Sequence, residues 1–428
     1  MASSSDVAVI DGCRTPFVRS GTAFTDFTTY DLGRTAVAGL LHRTRLDPDA
    51  VDLVVMGSVL ADPATTNLAR EVALGCGITT SAPAYTVTVA CVSSLQAILD
   101  GVRAIQTGAA RVVIAGGAET FSDVPIRFRR PVRKRLIASQ KARGLGDRLG
   151  LAKGLRLRDL LPEVPAIAEF STAETMGQNA ERLAKRIGVS REEQDAWALA
   201  SHQRATRATV EGLLARQIVS AWAPPRYERV AFDNGIRGDS SPAALARLKP
   251  AFDRRFGTVT AGNSSFLTDG AAAVLLVRAD RARELGLEPA AIVRGSAMTG
   301  ADPREELLLG PAFATPRALD AAGIRLDQLG VVELHEAFAA QVVANLRLLA
   351  DETFCRGRLG RPGAVGRIDP ERLNAWGGSL AVGHPFGATG ARLVTTCCHR
   401  MRFENARYGA VAACAAGAIG VALVLERA

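Results

Sequence analysis

Two cysteines and two histidines in this chain have a residue type and setting suited to covalent catalysis. Cys91 closes the strand-like run TVTVA and opens the helical pattern LQAILDGVRAIQ. The unpaired N–H groups and macrodipole of a helix start favour a thiolate, so Cys91 is expected to be a primed nucleophile. His384 sits in GGSLAVGHPFGATG, where five glycines and a proline turn the backbone tightly around one imidazole. Such a loop places a base or a hydrogen-bond donor. His335 ends an apolar run in ELHEAF, and Cys414 lies in the small-residue segment CAAGAIG. Taken alone, Cys414 reads as a core thiol and His335 as an ordinary strand-end histidine, because a free cysteine is usually a small buried apolar group. The fold is expected to bring Cys91 and His384 together.

The remaining thiols and imidazoles lack such settings. Cys397 and Cys398 fall on a helical pattern, Cys76 near a helix end, and Cys13, Cys355, His42, His202 and His399 have no glycine-rich or paired surroundings. The glycines fit neither GxGxxG nor GxxxxGK, so no nucleotide fingerprint is present, and no residues group as metal ligands. Seven cysteines at irregular spacing, without a CxxC pair, fit a reducing compartment. With no secretory pattern in MASSSDVAVIDG, the cytoplasm is the expected location. The run from Gly409 to Leu425 approaches membrane-spanning length, but it is broken by a small-residue turn at 415–417. Two short buried strands are expected there.

The elements that must position these side chains alternate. A strand over 7–10, a helix over 29–42, a strand over 53–57, a helix ending before Gly77, the Cys91 strand and helix, and a strand over 111–119 read as α/β. On the Cys91 helix, Leu95, Ile98, Val102 and Ile105 give one buried face. After Phe121 the pattern becomes polar and helical, with no strong strand expected until about Tyr227. Ser190 and Glu193 form a capping box there. The α/β pattern resumes at 257–277. From about 290 a helix, an Arg-Leu-Asp and a strand repeat an earlier unit: Arg45 to Asp47 in the first half, Arg325 to Asp327 in the second. Two similar halves are expected, with sites at their strand ends.

The net charge of +9 is concentrated in one segment. Between Arg127 and Arg158 stand twelve Lys or Arg and a single acidic residue, Asp147. Leu136, Ile137, Leu145, Leu149, Leu155 and Leu160 interrupt the charges. That pattern suits a solvated basic face, an amphipathic element on an anionic membrane, or a partner subunit. Aromatic interleaving is limited to Phe128 and no nucleic-acid module is present, so nucleic acid is not expected as a partner.

ACVSS, HEAFA, NAWGGSLAVGHPFGATG and CAAGAIG together resemble the signature loops of the thiolase family, in the family's order and over nearly the whole chain, and AGNSSFLTDGAAA adds a further match. Most thiolases carry Asn where this chain has His335. HEAFAAQ, SDVPIRFRR and AEFSTAETMGQNAERLA resemble the thiolase subunit of fatty-acid β-oxidation trifunctional complexes. One departure is Ala418, which stands where the family's CxxGGxG has its second adjacent glycine and is expected to tighten the turn.

The resemblance implies a thiolase fold, two α/β halves in an α-β-α-β-α core. The N-terminal half would span 1–121 and be completed by about 251–288, a mostly helical loop domain would span 122–250, and the C-terminal half 289–428. It implies a degradative 3-ketoacyl-CoA thiolase (acetyl-CoA C-acyltransferase) with Cys91 as nucleophile, His384 activating it and Cys414 as acid and base. His384 and His335 would form one oxyanion hole, the backbone N–H groups of Cys91 and Ala416 the other, and Glu336 would orient its neighbours or an ordered water. Pantetheine would lie against Met176, Phe252, Ala261, Ser265, Ala337 and Phe338. Coenzyme A is implied as co-substrate, with no permanently bound cofactor and no metal. A homodimer or a dimer of dimers is implied, with a hydratase/dehydrogenase subunit or peripheral membrane contact through 127–160. The competing readings are a short-chain acetoacetyl-CoA thiolase and a non-catalytic acyl-CoA-binding scaffold.

Overall fold

The computed structural model describes residues 6–141, 144, 153–165 and 168–428. The first half supplies β1 (Val7–Arg14), β2 (Val18–Arg19), β3 (Leu53–Gly57), β4 (Ala84–Val87) and β5 (Val112–Glu119). The insertion holds β6 (Arg127–Phe128), β7 (Pro162–Glu163), β8 (Ala221–Ala223) and β9 (Glu228–Val230). They are followed by β10 (Thr268–Arg278), β11 (Ala291–Gly300), β12 (Leu329–Leu334), β13 (Tyr408–Ala415) and β14 (Ile419–Arg427). The last two are the short buried strands expected in place of a membrane helix. No helix among the described residues is long and apolar enough to cross a bilayer.

The main sheet runs β12-β13-β14-β11-β1-β10-β5-β3-β4. It contains the same unit twice. In the first half β1 pairs antiparallel with β10, β10 antiparallel with β5, and β5 parallel with β3. In the second, β11 pairs antiparallel with β14, β14 antiparallel with β13, and β13 parallel with β12. Even the bulges correspond, between Val9 and Asp11 on β1 and between Val293 and Gly295 on β11. The halves join where Ala8 and Val9 pair with Ile292 and Ala291. Each Arg-Leu-Asp follows a helix, Thr29–Thr44 or Gly310–Ala322, and leads through a 3-10 turn into β3 or β12.

The layers follow from which faces are apolar. Inward-facing Val113, Ala115, Val274 and Leu276 share a core with Val411, Ala413, Val421 and Leu423 of the other half, and helices Ser93–Gln106 and Thr389–Phe403 fill the space between. The outer face of the first half packs on helix Thr29–Thr44, and that of the second on helix Gly310–Ala322. This is the α-β-α-β-α arrangement. The central helix Thr389–Phe403 is buried nearly all round, as a helix covered on both sides must be.

Residues 122–250 carry helices Arg130–Ser139, Met176–Ile187, Arg191–Val210 and Pro242–Ala246. Ser190 and Glu193 make the expected capping box, and Thr175 with Gln178 makes another that the sequence reading passed over. The strand content differs from expectation: β6 to β8 all precede Tyr227. Strands of two or three residues are too short to show alternation. The insertion is tied to the first half by a bidentate ion pair, Arg14 Nη1 and Nη2 to Asp233 at 2.6 and 2.7 Å, with both side chains 1% exposed. Of the apolar residues in the basic segment, Leu136, Ile137 and Leu160 are exposed, and Leu145 and Leu149 lie outside the described residues.

Ala418 adopts φ +58° in the β13–β14 turn, with 1% exposure. An L-residue in the left-handed region bears a steric cost that glycine escapes. Ala418→Gly is therefore expected to raise the free energy of unfolding by about 1 kcal/mol, read by urea denaturation. A loss of stability would show that the alanine methyl contributes more by packing than it costs in the backbone.

Candidate active site

Cys91 and His384 occupy matching places in the two halves, each on the turn that enters a central helix. Ala90 takes φ +44° and Val92 caps helix Ser93–Gln106, which lifts Cys91 off the strand. Helix Thr389–Phe403 follows His384 after five residues. The two helices meet closely. Ala391 N–H donates to Ser94 Oγ at 3.0 Å, and a Cβ added at Gly390 would stand 2.5 Å from Leu95 Cγ and 2.7 Å from Leu95 N. His335 enters from the end of β12, its N–H donating to Ala412 O at 2.9 Å.

These elements place Cys91 Sγ and one ring nitrogen each of His335 and His384 within 4.8 Å of one another. The two imidazole centroids are 4.1 Å apart. All three side chains are buried, yet neither histidine Nε2 has a hydrogen-bond partner. Each ring is instead held at its other nitrogen. His384 Nδ1 meets Thr389 Oγ1 at 2.6 Å, and His335 Nδ1 meets Ser379 Oγ at 3.0 Å. The Thr389 hydroxyl also lies 2.9 Å from Pro385 O, and with its proton donated there it accepts Nδ1–H of His384 and leaves the Nε2 lone pair bare. A bare Nε2 beside a thiol is a base in position.

The electrostatics correct one sequence expectation. Burial pushes the Cys91 thiol up to about 12, against hydrogen bonds from the backbone N–H groups of Ala416 and of Cys91 itself. Desolvation outweighs the helix start, and the resting nucleophile is a thiol rather than a standing thiolate. Cys414, on β13, is raised still more by burial and by the neighbouring Cys91. Burial lowers His335 to about 3 and His384 well below its ordinary value, with Arg392 adding to both shifts and His335 to that of His384. The site therefore rests uncharged at neutral pH, with a thiol facing a neutral imidazole. Proton transfer can follow substrate entry rather than precede it.

Buried carboxylates hold the frame. Glu119 accepts from the N–H groups of Val59, Leu60 and Gly387 at 2.9–3.0 Å, tying the loop after His384 to the end of β3, and burial raises its carboxyl to about 7. Glu336 accepts from Trp197 Nε1 (3.1 Å), Ser201 Oγ (2.8 Å), Asn374 Nδ2 (2.7 Å) and Leu380 N–H (3.2 Å). It joins the insertion helix Arg191–Val210 to the His384 loop. Sequence reasoning missed Thr389, Ser379, Arg392 and Glu119. The signal open to it for the first two was a hydroxyl five residues to either side of His384.

Met176, Ala337, Phe338 and Cys414 share one apolar cluster. Phe252 stands edge-on to Phe338 at 6.2 Å and lies over Gly177, where a Cβ would come within 2.0 Å of its ring. Ser265 N–H donates to Ala337 O at 3.0 Å, and Ala261 lies exposed on the turn before it. These surfaces include Cys414 and offer an apolar wall to a slender ligand.

Acid should unfold the protein early. Burial also lowers His202, which accepts Arg237 N–H, to about 4. A histidine whose folded pKa is depressed stabilises the fold above the ordinary value of 6.5, and that contribution is lost as pH falls toward the folded value. Relative to pH 7, His202 and His335 should each weaken the fold by about 2 kcal/mol at pH 5, with His384 acting in the same sense, while Glu119, raised to about 7, takes up its proton in the folded protein and offsets about 2 kcal/mol of that loss. Urea unfolding at pH 7, 6 and 5 should show net uptake approaching about two protons at pH 5, three from the histidines less most of one released by Glu119, and reduced by about one in His202→Gln. A flat profile would mean that these imidazoles are charged in the native protein.

Residues 7–280 match the thiolase N-terminal domain and residues 287–427 the thiolase C-terminal domain. The chain is 48% identical over 421 residues to the mitochondrial trifunctional enzyme subunit beta of Bos taurus, covering 98% of this chain and 88% of that one. It is 47% identical to a 3-ketoacyl-CoA thiolase of Escherichia fergusonii, covering 98% and 96%. Among solved structures, human mitochondrial 3-ketoacyl-CoA thiolase in complex with CoA superposes with a TM-score of 0.84 at 29% identity, covering 100% of this chain and 99% of that one. With both domains matched in order, and a cysteine and two histidines gathered where the halves meet, the chain belongs to the thiolase family.

Proposed function

We propose that this protein is an acetyl-CoA C-acyltransferase that cleaves 3-ketoacyl-CoA with CoA to acetyl-CoA and a shortened acyl-CoA. The observation that carries the reading is the buried convergence of Cys91 with His335 and His384, whose Nε2 atoms are without hydrogen-bond partners, with Cys414 beside them. In the first half-reaction the Cys91 thiol gives its proton to His384 Nε2 as Sγ attacks the 3-keto carbon. Collapse of the adduct breaks the carbon–carbon bond, leaves the acyl group on Cys91, and expels the acetyl-CoA enolate, which takes a proton from Cys414. In the second half-reaction the Cys414 thiolate accepts the proton of an incoming CoA thiol. That sulfur attacks the thioester carbon, the acyl–Sγ bond breaks, and the departing Cys91 thiolate takes back the proton held on His384.

The uncharged resting site supports this order, because charge develops only where donors stand ready. The N–H groups of Cys91 and Ala416 already point at Sγ and would serve the thioester oxygen. His335 and His384 would serve the enolate oxygen, with Glu336 fixing the loop that carries His384. The apolar wall of Met176, Phe252, Ala337 and Phe338 would receive pantetheine, and Ala261 and Ser265 would line its path. Coenzyme A is the co-substrate of this chemistry, which calls for no metal or permanent cofactor.

Work in fatty-acid β-oxidation beside a hydratase/dehydrogenase subunit is supported by the likeness to trifunctional enzyme subunit beta. The segment 127–160 would be the docking element. Phe128, Leu136, Ile137, Leu157 and Leu160 are exposed among its basic side chains, a pattern fit for a partner or an anionic membrane. A homodimer would form across the end of the sheet, where β4 has one open edge and Tyr85 is exposed. The free state of all seven cysteines supports a cytoplasmic location.

CoA-dependent cleavage of acetoacetyl-CoA and of a long-chain 3-ketoacyl-CoA tests the reading, with Cys91→Ala as control. Faster cleavage of the long substrate, reduced at least about 10³-fold in the variant, is the expected result. Activity on acetoacetyl-CoA alone would make it the short-chain enzyme, and none that depends on Cys91 would make it a binding protein. Deleting 127–160 should abolish association with a hydratase/dehydrogenase subunit or anionic vesicles while sparing short-chain activity. Unchanged association would remove the docking role.

A further inference from the structure

The two histidines that face Cys91 are held in different ways, and counting protons on their partners separates their roles. At His384 the Thr389 hydroxyl has a second partner, Pro385 O at 2.9 Å, so it can give its proton there and accept Nδ1–H from the ring. At His335 the situation is reversed. Ser379 Oγ accepts from Arg392 Nη2 at 2.7 Å, and a guanidinium can only donate. The Ser379 proton then has one acceptor within reach, His335 Nδ1 at 3.0 Å. Were Nδ1 protonated, two donors would converge on one buried hydroxyl and its own proton would be left without a partner, an arrangement that buried groups avoid.

We propose that Ser379 and Arg392 are positioning residues that hold His335 as its Nε2–H tautomer, so that the paired imidazoles are opposite in kind, a bare base at His384 and a hydrogen-bond donor at His335. The proposal rests on the thiolase reading for what the donor serves, the oxygen of the substrate or enolate. The assignment of the proton rests on the hydrogen bonds alone. The relay is enclosed: Ser379 and His335 are 0% exposed and Arg392 is 2%. Arg392 is itself steadied by Glu333, whose Oε2 lies 3.8 Å from Nη1 and has no hydrogen-bond partner, while Oε1 is taken by Arg400 at 2.7 Å. The positive charge behind both rings also opposes a second proton on either. Two identical tautomers would not serve: with both Nε2 atoms bare at rest, His335 would still turn a lone pair to the oxyanion after His384 has taken the thiol proton, and two Nε2–H groups would leave Cys91 without a base.

The tautomers can be read directly, since the chain has five histidines. In protein labelled with ¹⁵N-histidine at pH 7.5, a two-bond ¹H–¹⁵N correlation should give the Nε2–H pattern for the ring lost in His335→Asn and the Nδ1–H pattern for the ring lost in His384→Gln. An Nδ1–H pattern at His335 would overturn the proposal, whatever the enzyme's activity. Kinetics supply the second reading. Ser379→Ala should lower kcat about 10-fold with little change in KM for CoA. In a His335→Asn background it should add no more than about 2-fold, because an amide donates without help. An equal loss in both backgrounds would reduce Ser379 to a packing role and overturn the proposal. Absence of Cys91-dependent cleavage in the parent would instead remove the thiolase reading and leave the spectroscopic result standing.

Discussion

The close crossing of helices Ser93–Gln106 and Thr389–Phe403 is the contact on which the site depends. Cys91 and His384 are nearly three hundred residues apart and meet because their helices enter the central layer side by side. Any side chain at Gly390 would meet Leu95, and the Ala391–Ser94 hydrogen bond fixes the remaining freedom. The duplicated sheet makes the meeting symmetric. Each half offers the turn before its buried helix, one with a thiol and the other with an imidazole. The strand ends of β12 and β13 then add His335 and Cys414.

Burial determines how such a site can work. Moving thiols and imidazoles out of water disfavours their charged forms, so Cys91 and both histidines rest neutral despite a helix start and several aligned N–H groups. The same exclusion of water strengthens every hydrogen bond offered to a developing oxyanion. A nucleophile generated by proton transfer within the complex is also protected from side reactions in the free enzyme. Rigidity is supplied by buried carboxylates, Glu119 and Glu336, whose paired N–H and O–H donors come from different segments of the chain.

Much of this was legible from particular residues. The glycines around His384, the small residues around Cys414 and the period of Leu95, Ile98, Val102 and Ile105 led to the right elements, because local turn chemistry and one-faced burial leave marks within a few positions. The shared Arg-Leu-Asp was a faint trace of a duplication that the strand pairing makes plain. Cues of that kind also misled. Cys91 at a helix start reads as a thiolate until its depth is known, and strands β6 to β9 are too short to leave a pattern.

The sequence by itself determined the α/β class, the two halves, the chemistry-bearing side chains and the family they resemble, since these rest on residue type, spacing and local periodicity. Only the tertiary structure decided that Cys91 is a buried thiol, that His335 and His384 each bring a ring nitrogen within 4.8 Å of it, and that Ser379, Thr389 and Arg392 hold the rings. Protonation and hydrogen-bond partnership depend on solvent exclusion and on groups distant in the chain, neither of which a linear order of residues records.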